Sequence, residues 1–315
     1  MFSVGQVLAV RTGVAKCIIA NQMWFVTRRV MWREMRLRPS PKLNKVFSYV
    51  VFKVAATYKV RISALCVMAN HWHAVLGAEE RNLPAFLQAL HSELARAINA
   101  AHGDFGALWD KSDEGYDALP DERSVLAAIC YTMNNPVTSG GVRFARNWPG
   151  VRLAWPAKER TFERARPFYR TKDEGGETPA TVVRKLERPF GFVGVTDEKL
   201  AQRIGDLCEE GEKRAIDRVF EKGGRFRKRS EVVRMSRYSR AKSFERHFDV
   251  RRRIKGRDPK ERMKRIALKK QWDAEYAAAL SSWRAGDRSV LFPYGTYQMV
   301  VLHGVEMAPP PNACA

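Results

Sequence analysis

Apolar residues recur along the first half of this chain with two different periods. Met23 to Val30 is a short strand candidate. Pro39-Ser-Pro41 then introduces a helix, with Leu43, Val46, Phe47, Val50, Val51 and Val54 at helical spacing. Arg61 to Leu76 is hydrophobic enough to read as a second strand. Asn82 is placed to cap another helix, whose buried face would be Leu83, Phe86, Leu87, Leu90, Leu94 and Ile98. A third helix is predicted from Asp121 to Pro136, with Asp121 or Ser124 as its cap. Its stripe is Val125, Leu126, Ile129 and Met133, Pro136 should stop it, and Gly140-Gly141 keeps the chain turning. Between Gly103 and Asp121 the pattern places no strand, and the six carboxylates from Asp110 to Glu122 read as an acidic loop. Strand, helix, strand, helix predicts an α+β fold: a ferredoxin-like antiparallel sheet with helices on one face.

The second half is less periodic. Residues 151 to 190, rich in Pro, Arg and Glu, read as a linker or extended arm, and Leu186 to Val195 as a short strand pair. Thr196 to Phe220 reads as helical with a charged outer face. A long helix is predicted from Pro259 to Trp283, with Asp258 as its cap and Gly286 at its end. Ser289 to Val301 reads as a small hairpin closing a core, or as a DNA-contacting element.

Candidate chemistry lies in two places. In Leu65-Cys-Val-Met-Ala-Asn-His-Trp-His-Ala-Val-Leu76, the imidazoles of His71 and His73 share one parity and so one face of a strand. Such a pair offers two nitrogen ligands to a divalent cation, and it also occurs as ordinary hydrogen-bonded histidines. On the third helix, Tyr131 projects roughly opposite the apolar stripe, and Asn135 follows one turn later on its face. A tyrosine sealing a helix edge and an asparagine near a helix C-terminus would look the same.

The two segments together, Val67-Met-Ala-Asn-His-Trp-His73 and Tyr131-Thr-Met-Asn-Asn-Pro-Val137, resemble the signatures of the HUH single-tyrosine transposases, most closely the repeat-associated branch. Leu108-Trp109 and the opening run Trp24-Phe-Val-Thr-Arg-Arg29 are similar to shorter elements of the family. The resemblance covers about residues 15 to 150. It implies an HUH endonuclease domain over 1–150, with 151–190 as linker or arm and 191–315 as a basic, mainly helical accessory region. It implies that His71, His73 and Asn135 hold Mg²⁺ or Mn²⁺, and that Tyr131 attacks single-stranded or hairpin DNA to give a 5′-phosphotyrosyl link. His71 and His73 would be catalytic through the metal. In the family, the region after Leu-Trp tends to be basic, whereas here it is acidic.

Charge adds a partner. The chain carries 56 Lys+Arg against 34 Asp+Glu, a net charge of +22. Residues 211 to 270 hold 24 basic and 8 acidic residues. An excess of this size attracts a phosphate backbone, although charge alone also fits RNA or an anionic membrane surface. The expected DNA contacts are Arg28, Arg29, Arg225, Arg227, Lys228, Arg229, Arg251, Arg252, Arg253 and Lys255, with Phe226, Tyr238, Phe244 and Phe248 interleaved as stacking residues or as a small core. Cys17, Cys66, Cys130, Cys208 and Cys314 are scattered without zinc-knuckle spacing. No signal peptide or membrane span is read from the sequence, so a cytoplasmic protein is expected, with a homodimer as a further option. Two other classes fit the residues: a non-catalytic DNA-binding protein derived from such a transposase, and a metal-dependent phosphodiesterase in which water attacks.

Overall fold

The hydrophobic stretch around the two histidines folds as two strands, not one. In a computed structural model of the chain, which describes residues 15, 17–166, 168–170, 172–173, 176–241 and 259–310, the first strand is β1, Gln22–Val30. A helix α1, Pro41–Thr57, follows; Ser40 Oγ accepts from Leu43 N–H at 3.1 Å and Pro41 occupies the first turn. Strand β2, Val60–Val67, then turns at residues 68–70 into β3, His71–Ala78. That turn holds neither glycine nor proline, and Met68 and Ala69 are as buried as the strands they join. Nothing in the hydrophobic pattern therefore breaks the run. The turn is closed by Met68 N–H donating to His71 C=O at 2.8 Å.

Helix α2, Leu83–His102, buries the six residues expected of it and ends at Gly103, whose φ of 67° closes the last turn. Asn82 precedes the helix but does not cap it; its amide donates to Tyr58 C=O at 2.7 Å. The acidic stretch is not a loop: it lies largely in strand β4, Trp109–Leu119, paired along β1 at the sheet edge. Charge on an edge strand protects its open hydrogen-bonding side. Helix α3, Glu122–Thr138, starts at Asp121 in a reciprocal cap with Ser124. It runs through Pro136 instead of stopping there. The lost backbone bond costs about 3 kcal/mol in an isolated helix; here Val137 is fully buried with Ala145 and Ala215, and that packing holds the extra turn.

Strand β5, Arg152–Ala154, pairs with β2 and completes a five-stranded antiparallel sheet in the order β4-β1-β3-β2-β5. The first four strands have the split βαβ arrangement of a ferredoxin-like α+β fold. Trp72, between Phe47 of α1 and His91 of α2, marks the face that those two helices share. Helix α3 lies on the other face, against β2 and β3, and gives the domain a third layer that the strand–helix count did not contain.

Residues 151 to 190 carry more order than a linker. After β5 come β6, Arg160–Glu163, β7, Lys172–Asp173, β8, Gly176–Glu177, and β9, Thr181–Arg184, forming two small ribbons, β6-β9 and β7-β8. Phe162 stacks on Phe52 of α1 at 4.1 Å. Leu186 to Val195 holds no strand; Phe190 instead packs against Gly77 and Met23. Helix α4, Asp197–Glu221, lies along α3, and a short helix α5, Arg229–Arg234, leads back toward residues 33–38.

The chain divides into two compact units, Ala20–Gly256 and a second made of Met1–Ile19 with Arg257–Ala315. In the second, α6, Pro259–Arg284, and α7, Gln298–His303, pack around Ala279, Phe292, Met299 and Val305. The segment from Ser289 closes this core through single bridges and α7, not through the expected hairpin. The expected cap Asp258 lies outside the described residues.

Gly211 sits where α4 crosses α3; a Cβ there would stand 2.6 Å from Cys130 Sγ and 2.7 Å from Asn134 Nδ2. Gly211→Ala gains helix propensity but must push the helices apart. It is expected to destabilise the protein by about 1–3 kcal/mol, lowering Tm by roughly 2–10 °C in a thermal melt. An unchanged or raised Tm would show that the crossing yields freely.

Candidate active site

Strict alternation along β3 sends Trp72 into the α1–α2 layer and turns His71 and His73 to the opposite face. Their rings meet edge to face, with centroids 4.7 Å apart. In register with them on β1 stand Arg29, opposite His71, and Thr27, opposite His73. Phe25, two residues further, lies flat on His73 at 5.3 Å. Helix α3 brings in the remaining partners. The Tyr131 ring stands edge-on to both His73, at 5.2 Å, and Phe25, at 5.7 Å. Asn135, one turn on, places Oδ1 3.2 Å from His71 Nε2. The structure thus brings His71, His73, Asn135 and Tyr131 together on one face of the sheet. Asn135 and His73 are buried, while Tyr131 is 47% exposed.

The tautomer of His71 follows from its neighbour. Asn70 Nδ2 donates to Arg33 C=O at 3.4 Å, and a carbonyl only accepts. Asn70 Oδ1 is then the atom 2.7 Å from His71 Nδ1, so Nδ1 carries a hydrogen. In the neutral ring Nε2 keeps its lone pair, and that lone pair faces Asn135 Oδ1.

Asn70 is a neighbour of the candidate site that the sequence reading did not single out. Its signal was present: one amide inside an apolar run, directly before the first histidine. Phe25 and Asp117 were also missed. Asp117 lies opposite Phe25 across the β1–β4 pair and so shares the site face. Neither could be found without the strand register. Among the described residues no group of three His, Cys, Asp or Glu side chains is arranged to hold a metal ion. His71 and His73 reach three donors only with the Asn135 amide.

The expected DNA contacts separate. Arg29 shares the site face, whereas Arg28 turns to the other side. Arg225 is paired with Glu231 at 3.0 Å, Arg227 is tied by its backbone N–H to Gly140 C=O, and Lys228 and Arg229 open α5. Phe226 packs beside Phe220 and Val137 in a small core. Tyr238 is exposed. Arg251, Arg252, Arg253, Lys255, Phe244 and Phe248 lie outside the described residues. No helix among the described residues is long and apolar enough to cross a membrane.

No family model matches this sequence, and no curated protein matches it. Among solved structures, the chain is similar to a REP-associated tyrosine transposase bound to a REP hairpin, at 18% identity and a TM-score of 0.38, over 44% of this chain and 81% of that one. It is also similar to a protein from Deinococcus radiodurans R1 assigned provisionally as a transposase, at 20% identity and a TM-score of 0.29, over 38% of this chain and 94% of that one.

The Asn70 contact has a direct readout. Long-range ¹H–¹⁵N spectra at a pH where His71 is neutral should show it as the Nδ1–H tautomer. Asn70→Ala should remove that preference while leaving the signals of His91 and His102 in place. A wild-type His71 found as the Nε2–H form would overturn the assignment.

Proposed function

We propose that this chain is a transposase-like, metal-dependent single-strand DNA endonuclease and strand transferase that works through a covalent bond to Tyr131. The observation that carries this reading is the convergence of His71, His73 and Asn135 beside an exposed tyrosine. The donor set fits a divalent cation. His71 Nε2 and Asn135 Oδ1 lie 3.2 Å apart, and an imidazole nitrogen and an amide oxygen are both donors that a divalent cation accepts. Asn70, holding the far nitrogen of His71, is the outer partner that orients a ligating imidazole.

His71, His73 and Asn135 would hold Mg²⁺ or Mn²⁺, an ion that polarises a phosphate and offsets its charge. Tyr131 Oη attacks the scissile phosphorus; the Oη–P bond forms as the P–O3′ bond breaks. The phenolic proton must leave as the bond forms; Asp117, whose side chain shares this face of the sheet, is the carboxylate assigned to take it, and the departing 3′ oxygen takes a proton from that acid or from water to become a hydroxyl. The product is a 5′-phosphotyrosyl link and a free 3′ end. Attack by a 3′-hydroxyl on that link reverses the step, so strands are joined without a nucleotide cofactor. Phe25 and His73 hold the tyrosine ring from two sides, which supports positioning of the attacking oxygen. The exposure of Tyr131 favours this reading over hydrolysis, in which the ring would need only to pack.

With single-stranded DNA that contains its site and with Mg²⁺ or Mn²⁺, the protein should form an adduct that survives denaturation. Tyr131→Phe should abolish the adduct and retain DNA binding; EDTA and His71→Ala should also abolish it. Free DNA ends with no attached protein would instead establish attack by water, and an unchanged adduct in Tyr131→Phe would remove the role given to that residue. Asp117→Asn should slow adduct formation at least about tenfold, with binding intact.

A further inference from the structure

Trp32 combines exposure with an unusual backbone. Its φ is 53° and that of Arg33 is 59°, a left-handed pair without glycine. The turn is held from several sides. Met31 N–H donates to Leu108 C=O at 2.9 Å, and Arg33 C=O accepts from Asn70 Nδ2 and from Ala241 N–H. Glu34 bridges to Arg240, and Met35 N–H donates to Ser239 C=O at 3.0 Å. The fold thus fixes a conformation that puts the indole in water, where it is 62% exposed.

The surroundings are layered by charge. Glu34 and Asp104 are sunk, with side chains 14% and 12% exposed, while Arg240 is 60% exposed. Asp104 lies 3.7 Å from both Arg36 and Arg237 and accepts from the hydroxyl of Tyr238 at 2.7 Å. His102, beside it, adds no cation at neutral pH: burial first, then Arg237, lowers its pKa to about 4. Among the described residues, Arg36, Arg237 and Arg240 meet the two carboxylates Asp104 and Glu34. The Arg240 guanidinium lies over the Trp32 ring at 5.1 Å, and Arg237 lies 5.5 Å from the exposed ring of Tyr238.

We propose that Trp32, backed by Arg240, is a stacking site for an unpaired base of single-stranded DNA. A flat indole with a cation on one face and water on the other matches the π-face of a base, and the positive rim matches the phosphates beside it. A duplex offers no free base face to the indole. The site is joined to the candidate centre by two hydrogen bonds: Arg33 C=O to Asn70, and Asn70 to His71. The inference rests on the single-strand reading of the Tyr131 site and adds to it the subsite that holds a base.

The test uses the full chain in EDTA, with a short fluorescein-labelled mixed-sequence single strand and the duplex made from it as probes. Trp32→Ala should weaken single-strand binding roughly 5- to 100-fold, Trp32→Phe should recover most of that loss, and duplex binding should change less than about twofold. Arg240→Ala should weaken single-strand binding in the same direction. Unchanged single-strand affinity in Trp32→Ala, or equal losses for strand and duplex, overturns the proposal. The same series in Tyr131→Phe separates the two readings. Trp32-dependent binding without any wild-type adduct leaves the subsite standing and removes the nucleophile. An adduct whose formation and affinity ignore Trp32 does the reverse.

Discussion

Everything near the candidate centre depends on the pairing of β1 with β3. In that register Thr27 lies opposite His73 and Arg29 opposite His71. A slip of one residue would send both histidines into the α1–α2 layer and bring Trp72 out. What prevents the slip is the burial of Trp72 between Phe47 and His91, where only 1% of it stays exposed. Loss of a core aromatic of this size costs about 3–5 kcal/mol, so the alternative register is very sparsely populated. The three residues His71, Trp72 and His73 are therefore one device. The tryptophan anchors the strand in the core, and the histidines inherit its rigidity on the other side. A site built on a central strand is held more firmly than one built on a loop.

Helix α3 solves a related problem with a different period. Tyr131 and Asn135 form one stripe, facing the histidines. Cys130 and Asn134, one residue earlier in each turn, form the adjacent stripe, facing α4. Asn134 Nδ2 donates to Cys208 C=O at 2.7 Å, and Cys130 Sγ to Leu207 C=O at 3.1 Å. The hydrogen bond with Cys130, and then burial, raise the pKa of the Cys208 thiol, so it stays protonated and serves packing. The close approach is open only because Gly211 has no side chain. α4 thus braces the helix directly behind the tyrosine, which explains how α3 tolerates Pro136 one residue beyond Asn135. A helix held along its length by a neighbour need not end where its own hydrogen bonds are interrupted.

What could be read from the sequence follows from the same physics. The stripe of α2 was legible because that helix follows the helical period on its buried face; α1 buries the six apolar residues expected of it but also everything from Val46 to Ala55, because the β6-β9 ribbon covers its outer side. The Asp121 cap was legible because capping is a local hydrogen bond. The parity of His71 and His73 needed only the strand period. The hairpin between β2 and β3 was not legible, because its turn is as buried as its strands and so carries no polar signal. β4 was hidden by its own charge: an edge strand with one open side looks like a loop to any pattern based on burial. Pro136 misled because the support its neighbour Val137 finds comes from Ala215 of α4, far along the sequence. Phe25 and Asp117 join the site face through register, a property of strand pairs that one strand's sequence does not contain.

The basic second half gains a meaning from where its arginines go. Charge alone would cast residues 211 to 241 as a loose electrostatic arm. The observed contacts are specific. Arg225 meets Glu231, Arg237 meets Asp104, and Arg240 meets Glu34. Arg38 reaches back to donate to Met235 C=O at 2.8 Å. The exposed pair Arg225–Glu231 is worth little by itself, and in the other two the carboxylate is sunk while the guanidinium reaches outward. Together with the backbone bonds of Met35 and Ala241 they fix the returning segment against the turn that carries Trp32. Val232, from α5, completes a buried cluster with Cys66, Met68, Val142 and Trp148 on the α3 side of the sheet. The segment therefore contributes to structure before it contributes to charge. Glu34 and Asp104 lie deeper than Arg240 and Arg237, which carry their charge toward the surface. In the single-strand site proposed above, those guanidiniums would meet phosphates beside the turn that carries Trp32.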